Sequence, residues 1–333
     1  MLISADSHVI ERPSILEEFS SSSEAPFLPK ELPNGVDIPF QGSFPIDTLG
    51  CAGRDPDFQN QSWDNLHQGG WDPLQRPRDV EYEVLYPSIG MMVLSNPRSQ
   101  NIIPYCKVYN RWMKSLTDGG KWGLIGLGLC SYTTTTQVEK EINQIKEGGL
   151  SGIILPGSPS SFDLDDYWEC DWFWDLVSEV GLPVHFHSMT GESVPLRGPA
   201  YTISQASIYG MQQLMGSLVW GGVMERHPDV RIVFAEADAG WVNWWCQKAD
   251  NIYYRHRNWT GVKLPNPPSF YVSRNCYFTF GDDVIGSKNK DCMNFMWASD
   301  WPHLDAVSTL TAICLDEDSR WECAARLYGI EVA

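Results

Sequence analysis

Two short stretches carry metal-ligand side chains one residue apart: Asp6-Ser7-His8 near the start of the chain and His185-Phe186-His187 in its middle. In an extended strand successive side chains alternate between faces, so Asp6 and His8 point one way, and so do His185 and His187. Each pair can offer ligands to one divalent cation. His187 is nearer the end of its run and is the better ligand, whereas His185 reads as a deeper partner or packing residue. Farther on, Ala298-Ser299-Asp300-Trp301-Pro302-His303 delivers an aspartate just before a proline that turns the chain away from helix. Asp300 can bind a cation or take a proton. Glu236, in Phe234-Ala235-Glu236-Ala237-Asp238, is a further ligand, a proton carrier or a partner for His187. Asp238 reads equally well as the cap of a helix beginning near Trp241. Two histidines with two carboxylates suit one Zn2+, Mn2+ or Fe2+ rather than Ca2+, which prefers oxygen alone. Zn2+ is the first expectation.

Residues so far apart in the chain need a scaffold that gathers them. Eight short β-rich apolar runs alternate with longer amphipathic stretches: Leu2–Asp6, Glu83–Pro87, Gly123–Cys130, Gly152–Pro156, Pro183–His187, Val230–Glu236, Cys276–Phe280 and Phe295–Asp300. That alternation predicts an α/β chain with a parallel sheet, here a (β/α)8 TIM barrel. In such a barrel the C-terminal strand ends build the site, and the ligand-type residues fall at those ends. Helices are expected at Ile103–Thr117, Thr136–Gly148, Asp171–Val180, Ser204–His227 and Trp241–Arg257, with breakers at Gly181-Leu182-Pro183 and His227-Pro228. The 333 residues read as one domain, 1–333. Within it a Pro-, Ser- and Gly-rich stretch, about 12–75, lacks sustained periodicity and is expected to be a long N-terminal excursion acting as a lid over the barrel mouth.

Composition narrows the partners. A net charge of −18 argues against nucleic acid and anionic membranes, leaving a small-molecule substrate. Arg76, Arg78, Arg197 or Arg274 can still capture an anionic substrate locally. The nine cysteines are scattered without C-x-x-C spacing and read as reduced thiols. With no leader-like N-terminus and no long apolar run, cytoplasmic location is expected. Trp63, Trp71, Tyr86 and Trp112 suggest an aromatic lid for a planar or apolar substrate.

Nine segments, in order, carry a family resemblance: ISADSHV at 3–9, GGWDP at 69–73, EVLYPS at 83–88, YNRW at 109–112, LPVHFH at 182–187, ERHPDVRIVFAEADAGWV at 225–242, RNCYFTF at 274–280, ASDWPH at 298–303 and AARLYG at 324–329. Together they resemble the amidohydrolase superfamily, in the amidohydrolase-related branch that includes aminocarboxymuconate semialdehyde decarboxylase. The resemblance implies a (β/α)8 barrel holding one divalent ion through Asp6, His8, His187 and Asp300. It also implies pairing as a homodimer. Many relatives use the ion to deprotonate water, with the strand-eight Asp as base; others use it to bind an aromatic carboxylate for non-oxidative decarboxylation. Two positions depart from the pattern. Strand one carries Asp6 where better-known relatives have His or Glu, and strand six carries Glu236 where decarboxylases of the branch place a His. The segments between Pro73 and Glu83 and after His303 are also short, so the second and eighth helices are expected to be irregular.

On this reading the leading function is a metal-dependent hydrolase of a small aromatic or cyclic molecule, with Asp300 as general base and Glu236 as a second catalytic group. The alternatives are a non-oxidative decarboxylase (carboxy-lyase) of an aromatic or unsaturated acid, and a barrel without catalysis. Substrate contacts are expected from His185, Trp71, Tyr86, Arg274 and His303.

Overall fold

A computed structural model describes residues 1–46, 62–96, 98–157, 166–190, 208–283 and 293–331. Arg197, Cys51, Cys292 and parts of the excursion and of the expected Ser204–His227 helix lie outside these residues. Strand β1 (Ile3–His8) leads into helix α1 (Pro13–Glu18) and an antiparallel meander of β2 (Lys30–Leu32), β3 (Gly35–Ile38) and β4 (Gly42–Pro45). The parallel series resumes with β5 (Tyr82–Tyr86), β6 (Leu124–Gly126), β7 (Gly128–Leu129), β8 (Ile153–Ile154), β9 (Val184–His187), β10 (Ile232–Ala235), β11 (Cys276–Phe280) and β12 (Asn294–Trp297). Between them run α2 (Ile89–Leu94), α3 (Ile102–Thr117), α4 (Thr135–Glu147), α5 (Asp171–Val180), α6 (Tyr209–Trp220), α7 (Val223–Arg226), α8 (Gly240–Thr260) and α9 (Pro268–Asn275), with α10 (Cys323–Tyr328) after β12.

Parallel pairing follows the order β1-β5-β6 and then β7-β8-β9-β10-β11-β12. Strands β6 and β7 are halves of one run: Ser151 N donates to Gly126 O at 2.8 Å and Gly128 N to Gly152 O at 3.0 Å, carrying the pairing past Leu127. The barrel therefore has the eight strands the sequence predicts. Its last seam, between β12 and β1, is held just beyond the ladder. Ser4 Oγ meets Ser299 Oγ at 2.9 Å, Asp300 N donates to Asp6 O at 2.9 Å, and His8 N donates to Trp301 O at 2.6 Å.

Alternation along the strands sorts core from site. Phe234 lies opposite both Phe186 and Phe278, and Phe278 lies opposite Phe295; these four rings pack at 5.4–6.2 Å between centroids under the helices. The intervening positions, His185, His187 and Thr279, face the other way, into the barrel. In β1 the register with β5 shifts between Ser4 and Ser7, a bulge of the kind that re-aims side chains near sites.

Four features differ from the expectations. The excursion has its own small core: Val36 and Ile38 of β3 are buried, and Trp63 Nε1 donates to Leu32 O and Gly35 O, both at 3.1 Å. The expected Ser204–His227 helix is two in its described part, because Gly221 and Gly222 interrupt it and Gly222 takes φ 77°. Helix α9 was hidden by the prolines at 267 and 268; a proline fits the first helical position, and Asp250 accepts from Ser269 N at 2.9 Å and Ser269 Oγ at 2.7 Å. Helix α8 is capped by Asp283, not Asp238: its Oδ2 accepts from Gly240 N at 2.6 Å and Ala239 N at 3.2 Å. The second and eighth units are irregular as expected, with no helix over 71–81 and only a 3-10 turn, Thr309–Cys314, and a π turn, Asp318–Glu322, before α10. The seven described cysteines are free thiols, six of them buried. Among the described residues no helix is long and apolar enough to cross a membrane.

The interior tolerates no added bulk beside His185. A Cβ at Gly152 would lie 2.4 Å from His185 Nε2 and 2.8 Å from Leu127 Cδ2. Gly152→Ala is therefore expected to destabilise the fold by about 1–3 kcal/mol, read as a lower urea midpoint with an unchanged slope.

Candidate metal centre

Three strand ends, those of β1, β9 and β12, deliver the four predicted ligands to one point. His8 Nε2 lies 3.2 Å from His187 Nε2, 3.2 Å from Asp300 Oδ1 and 3.4 Å from Asp6 Oδ1, and His187 Nε2 lies 3.7 Å from Asp6 Oδ2. Asp6, His8, His187 and Asp300 are all buried. The tautomers follow from the other ring nitrogens. His8 Nδ1 is 2.9 Å from Pro87 O, and His187 Nδ1 is 2.9 Å from Ser188 O. Carbonyl oxygens only accept, so each Nδ1 carries a proton and each neutral ring directs its Nε2 lone pair at the same spot.

That arrangement fits a cation. Two ligands each about 2.1 Å from a common ion lie roughly 3.0–3.4 Å apart at tetrahedral to octahedral angles, the spacing found here. Asp6 Oδ2 is engaged by Glu236 N at 3.0 Å and Thr279 Oγ1 at 3.1 Å, whereas Asp6 Oδ1 and both oxygens of Asp300 are buried without a hydrogen-bond donor. Three orphan acceptors beside two facing lone pairs require positive charge among them. Without an ion a proton supplies it. Burial pushes the His8 imidazole down, but its bonds to Asp300 and Asp6 outweigh this and raise it to about 10. Burial likewise raises Asp6 and Asp300, yet their histidine neighbours hold both below the ordinary carboxylate range.

Glu236 flanks this cluster, its Oε2 3.3 Å from His187 Nδ1. Burial pushes its carboxyl up to about 7 against the opposing pull of His187. Glu236 and Asp300 both have positive φ, 48° and 54°, an unusual conformation for residues with a side chain and one that concentrates at functional sites. His303 stacks on His8 at 3.6 Å between centroids, with Nδ1 3.4 Å from Asp300 Oδ1 and Nε2 2.9 Å from Ser88 Oγ. His185 sits one layer deeper, its Nδ1 2.7 Å from Tyr86 Oη, and burial lowers it to about 3, so it is neutral.

Several expected substrate contacts are placed elsewhere. Arg274 ends α9, before β11 begins, so it occupies the rim opposite the cluster, over Phe270 and Tyr271. Tyr86 is wholly buried and supports His185 from within the barrel. Trp71 contacts Arg12, whose guanidinium lies 5.5 Å from its ring. Trp63 belongs to the excursion's core and Trp112 to the buried face of α3, so these aromatics do not assemble into a lid. Arg76 is buried against Glu83 at 2.6 Å, donates to His8 O at 2.9 Å and lies 4.4 Å from the Trp301 ring, and Arg78 binds the carbonyls of Trp122 and Pro73. Sequence reasoning missed Thr279, although it alternates inward in CYFTF. It also missed Ser88, which no local pattern marks.

A family model described as amidohydrolase matches residues 75–320. The chain belongs to the amidohydrolase family. Among solved structures, this amidohydrolase resembles an amidohydrolase from Mycobacterium avium subsp. paratuberculosis K-10 (17% identity, 99% of this chain and 98% of that one, TM-score 0.74). It also resembles 5-carboxyvanillate decarboxylase from Sphingomonas paucimobilis (18% identity, 99% of both chains, TM-score 0.62). A third is dihydroxybenzoic acid decarboxylase from Polaromonas sp. JS666, solved with manganese and 2-nitroresorcinol (13% identity, 100% and 98% covered, TM-score 0.63). A search of curated protein sequences gives no match. At these identities the likeness establishes the fold, and family membership makes the chain an enzyme.

The raised His8 gives metal-stripped protein a pH signature. A group lifted from 6.5 to about 10 contributes its full stability below pH 6.5 and loses it as pH rises through 10. The Tm of stripped wild-type protein is expected to fall over that range, and the fall should vanish in stripped His8→Asn protein.

Proposed function

We propose that this amidohydrolase is a metal-dependent, non-oxidative carboxy-lyase acting on an aromatic or unsaturated acid, with one divalent ion held by Asp6, His8, His187 and Asp300. The carrying observation is the geometry around that ion site: a ring of ligand atoms at coordination spacing with a further carboxyl, Glu236, beside it. The full-length likeness to decarboxylases of carboxyvanillate and dihydroxybenzoate supports this reading over the hydrolase first expected from the sequence. Mn2+, present in the Polaromonas enzyme, joins Zn2+ as the metal to test.

When bound, the divalent ion supplies fixed positive charge for a substrate carboxylate and for the negative charge left as CO2 departs. Asp6 is fixed by Thr279 and by the Glu236 amide, and so holds its orphan oxygen in place. His187 is pinned through its Nδ1 proton, shared between Ser188 O and Glu236 Oε2. The carbon–carbon bond to the carboxyl group breaks, CO2 leaves, and the electron pair remaining on carbon takes a proton. Glu236, protonated for much of the time near neutral pH, is the donor. Asp300 is held strongly ionised, which suits a ligand better than a base that must capture a proton from water.

Hydrolysis remains the second reading because strand six carries Glu236 instead of histidine, and a carboxyl near 7 serves a base as well as a donor. The pH dependence separates the two. As a donor Glu236 works protonated, so kcat is expected to fall as pH rises above about 7; as a base it works ionised, and kcat rises there instead. Release of CO2 from hydroxybenzoates, with no turnover of lactones or amides, is the outcome that supports the lyase, and turnover of the second panel alone overturns it. Glu236→Gln is expected to lower kcat by about 10^2–10^4 while metal content stays at the wild-type level.

A further inference from the structure

Glu11, in the segment that leaves β1, is wholly buried, and its partners all lie outside the metal cluster. Oε2 accepts from Ser88 N at 2.8 Å and Ile89 N at 3.0 Å. Oε1 accepts from Gly90 N at 2.9 Å and Tyr105 Oη at 3.0 Å. Three consecutive amides of the turn from β5 into α2 are thus held by one side chain. A buried carboxylate is costly, and a glutamine could not offer four acceptor positions to these donors.

What this turn holds gives the carboxylate its significance. Pro87 O accepts from His8 Nδ1, and Ser88 Oγ meets His303 Nε2. The Ser88 hydroxyl proton goes to Val9 O at 2.7 Å, so its oxygen accepts from His303 and Nε2 of that ring is the protonated nitrogen. His303 then turns the Nδ1 lone pair toward Asp300. A single turn therefore dictates which nitrogen is free on both stacked imidazoles, and Glu11 fixes the turn.

We propose that Glu11 is a positioning residue of the metal centre: by clamping Ser88, Ile89 and Gly90 it sets the orientation and tautomer of His8 and His303. Outer partners of this kind alter metal affinity without touching the ion. The inference rests on reading Asp6, His8, His187 and Asp300 as the ion's ligands, so its test includes a readout on metal-free protein.

The experiment compares wild type, Glu11→Gln and Tyr105→Phe, which removes one bond to the carboxylate but leaves the three amides held. Mn2+ and Zn2+ affinities are measured by competition with a fluorescent chelator, at a temperature where all three proteins are folded. E11Q is expected to bind about 10–100-fold more weakly, with Y105F within about threefold of wild type. In metal-free protein, proton NMR is expected to show the hydrogen-bonded imidazole N–H signals of His8 and His303 in wild type and Y105F and their loss to exchange in E11Q. Unchanged N–H signals in E11Q overturn the proposal. If wild type takes up neither metal, the ligand reading fails, and the N–H signals alone decide the role of Glu11. Should E11Q not fold, Glu11→Asp is judged by the same two readouts, where wild-type affinity and signals overturn the proposal and weakened affinity with lost signals supports it.

Discussion

Two imidazole nitrogens directed at each other across 3.2 Å, flanked by carboxylate oxygens that no donor satisfies, cannot persist in a buried site without positive charge between them. Much of the surrounding structure serves this constraint. The barrel closes at its last seam by placing the backbone of Asp300 on that of Asp6, which brings the first and last strands' carboxylates into one field. The bulge in β1, the positive φ at Glu236 and Asp300, and the Pro87 and Ser188 carbonyls all aim side chains at the same point.

The polarity of the strand ends is offset by ordinary packing behind them. The Phe186, Phe234, Phe278 and Phe295 rings fill the layer between sheet and helices, while the residues next to them in each strand face the interior. A second cluster, formed by Ile3, Ala5, Val233 and Met296 with Cys323, Ala324 and Leu327, closes the other end of the barrel. The candidate metal cluster thereby lies at one rim, and Arg274, at the opposite rim, is kept away from it by topology alone.

The barrel and the convergence of Asp6, His8, His187 and Asp300 were legible in the sequence because both rest on local regularities. Period-two alternation placed Asp6 with His8 and His185 with His187, and the apolar runs marked all eight strands. What was not legible depends on contacts between distant segments. Trp63, Trp71, Tyr86 and Trp112 looked alike as aromatic residues near the site, yet their neighbours assign each a different packing role. Glu11, Thr279 and Asp283 act through backbone amides or hydroxyls supplied by other elements, and no spacing rule reports such partners. Helix α9 was not expected from the sequence, because a proline marks the start of a helix and the end of one alike, and Pro267 and Pro268 alone do not tell which.

The proposed site for one divalent ion among Asp6, His8, His187 and Asp300 is open to a direct test. A crystal structure of protein expressed with Mn2+ or Zn2+, with diffraction data collected on both sides of the metal's absorption edge, tests it most directly. A single anomalous peak per chain is expected about 2.0–2.3 Å from the Nε2 atoms of His8 and His187 and from at least one carboxylate oxygen. A fully loaded protein whose only anomalous peak lies elsewhere, or whose two imidazoles have no common neighbour, would contradict it.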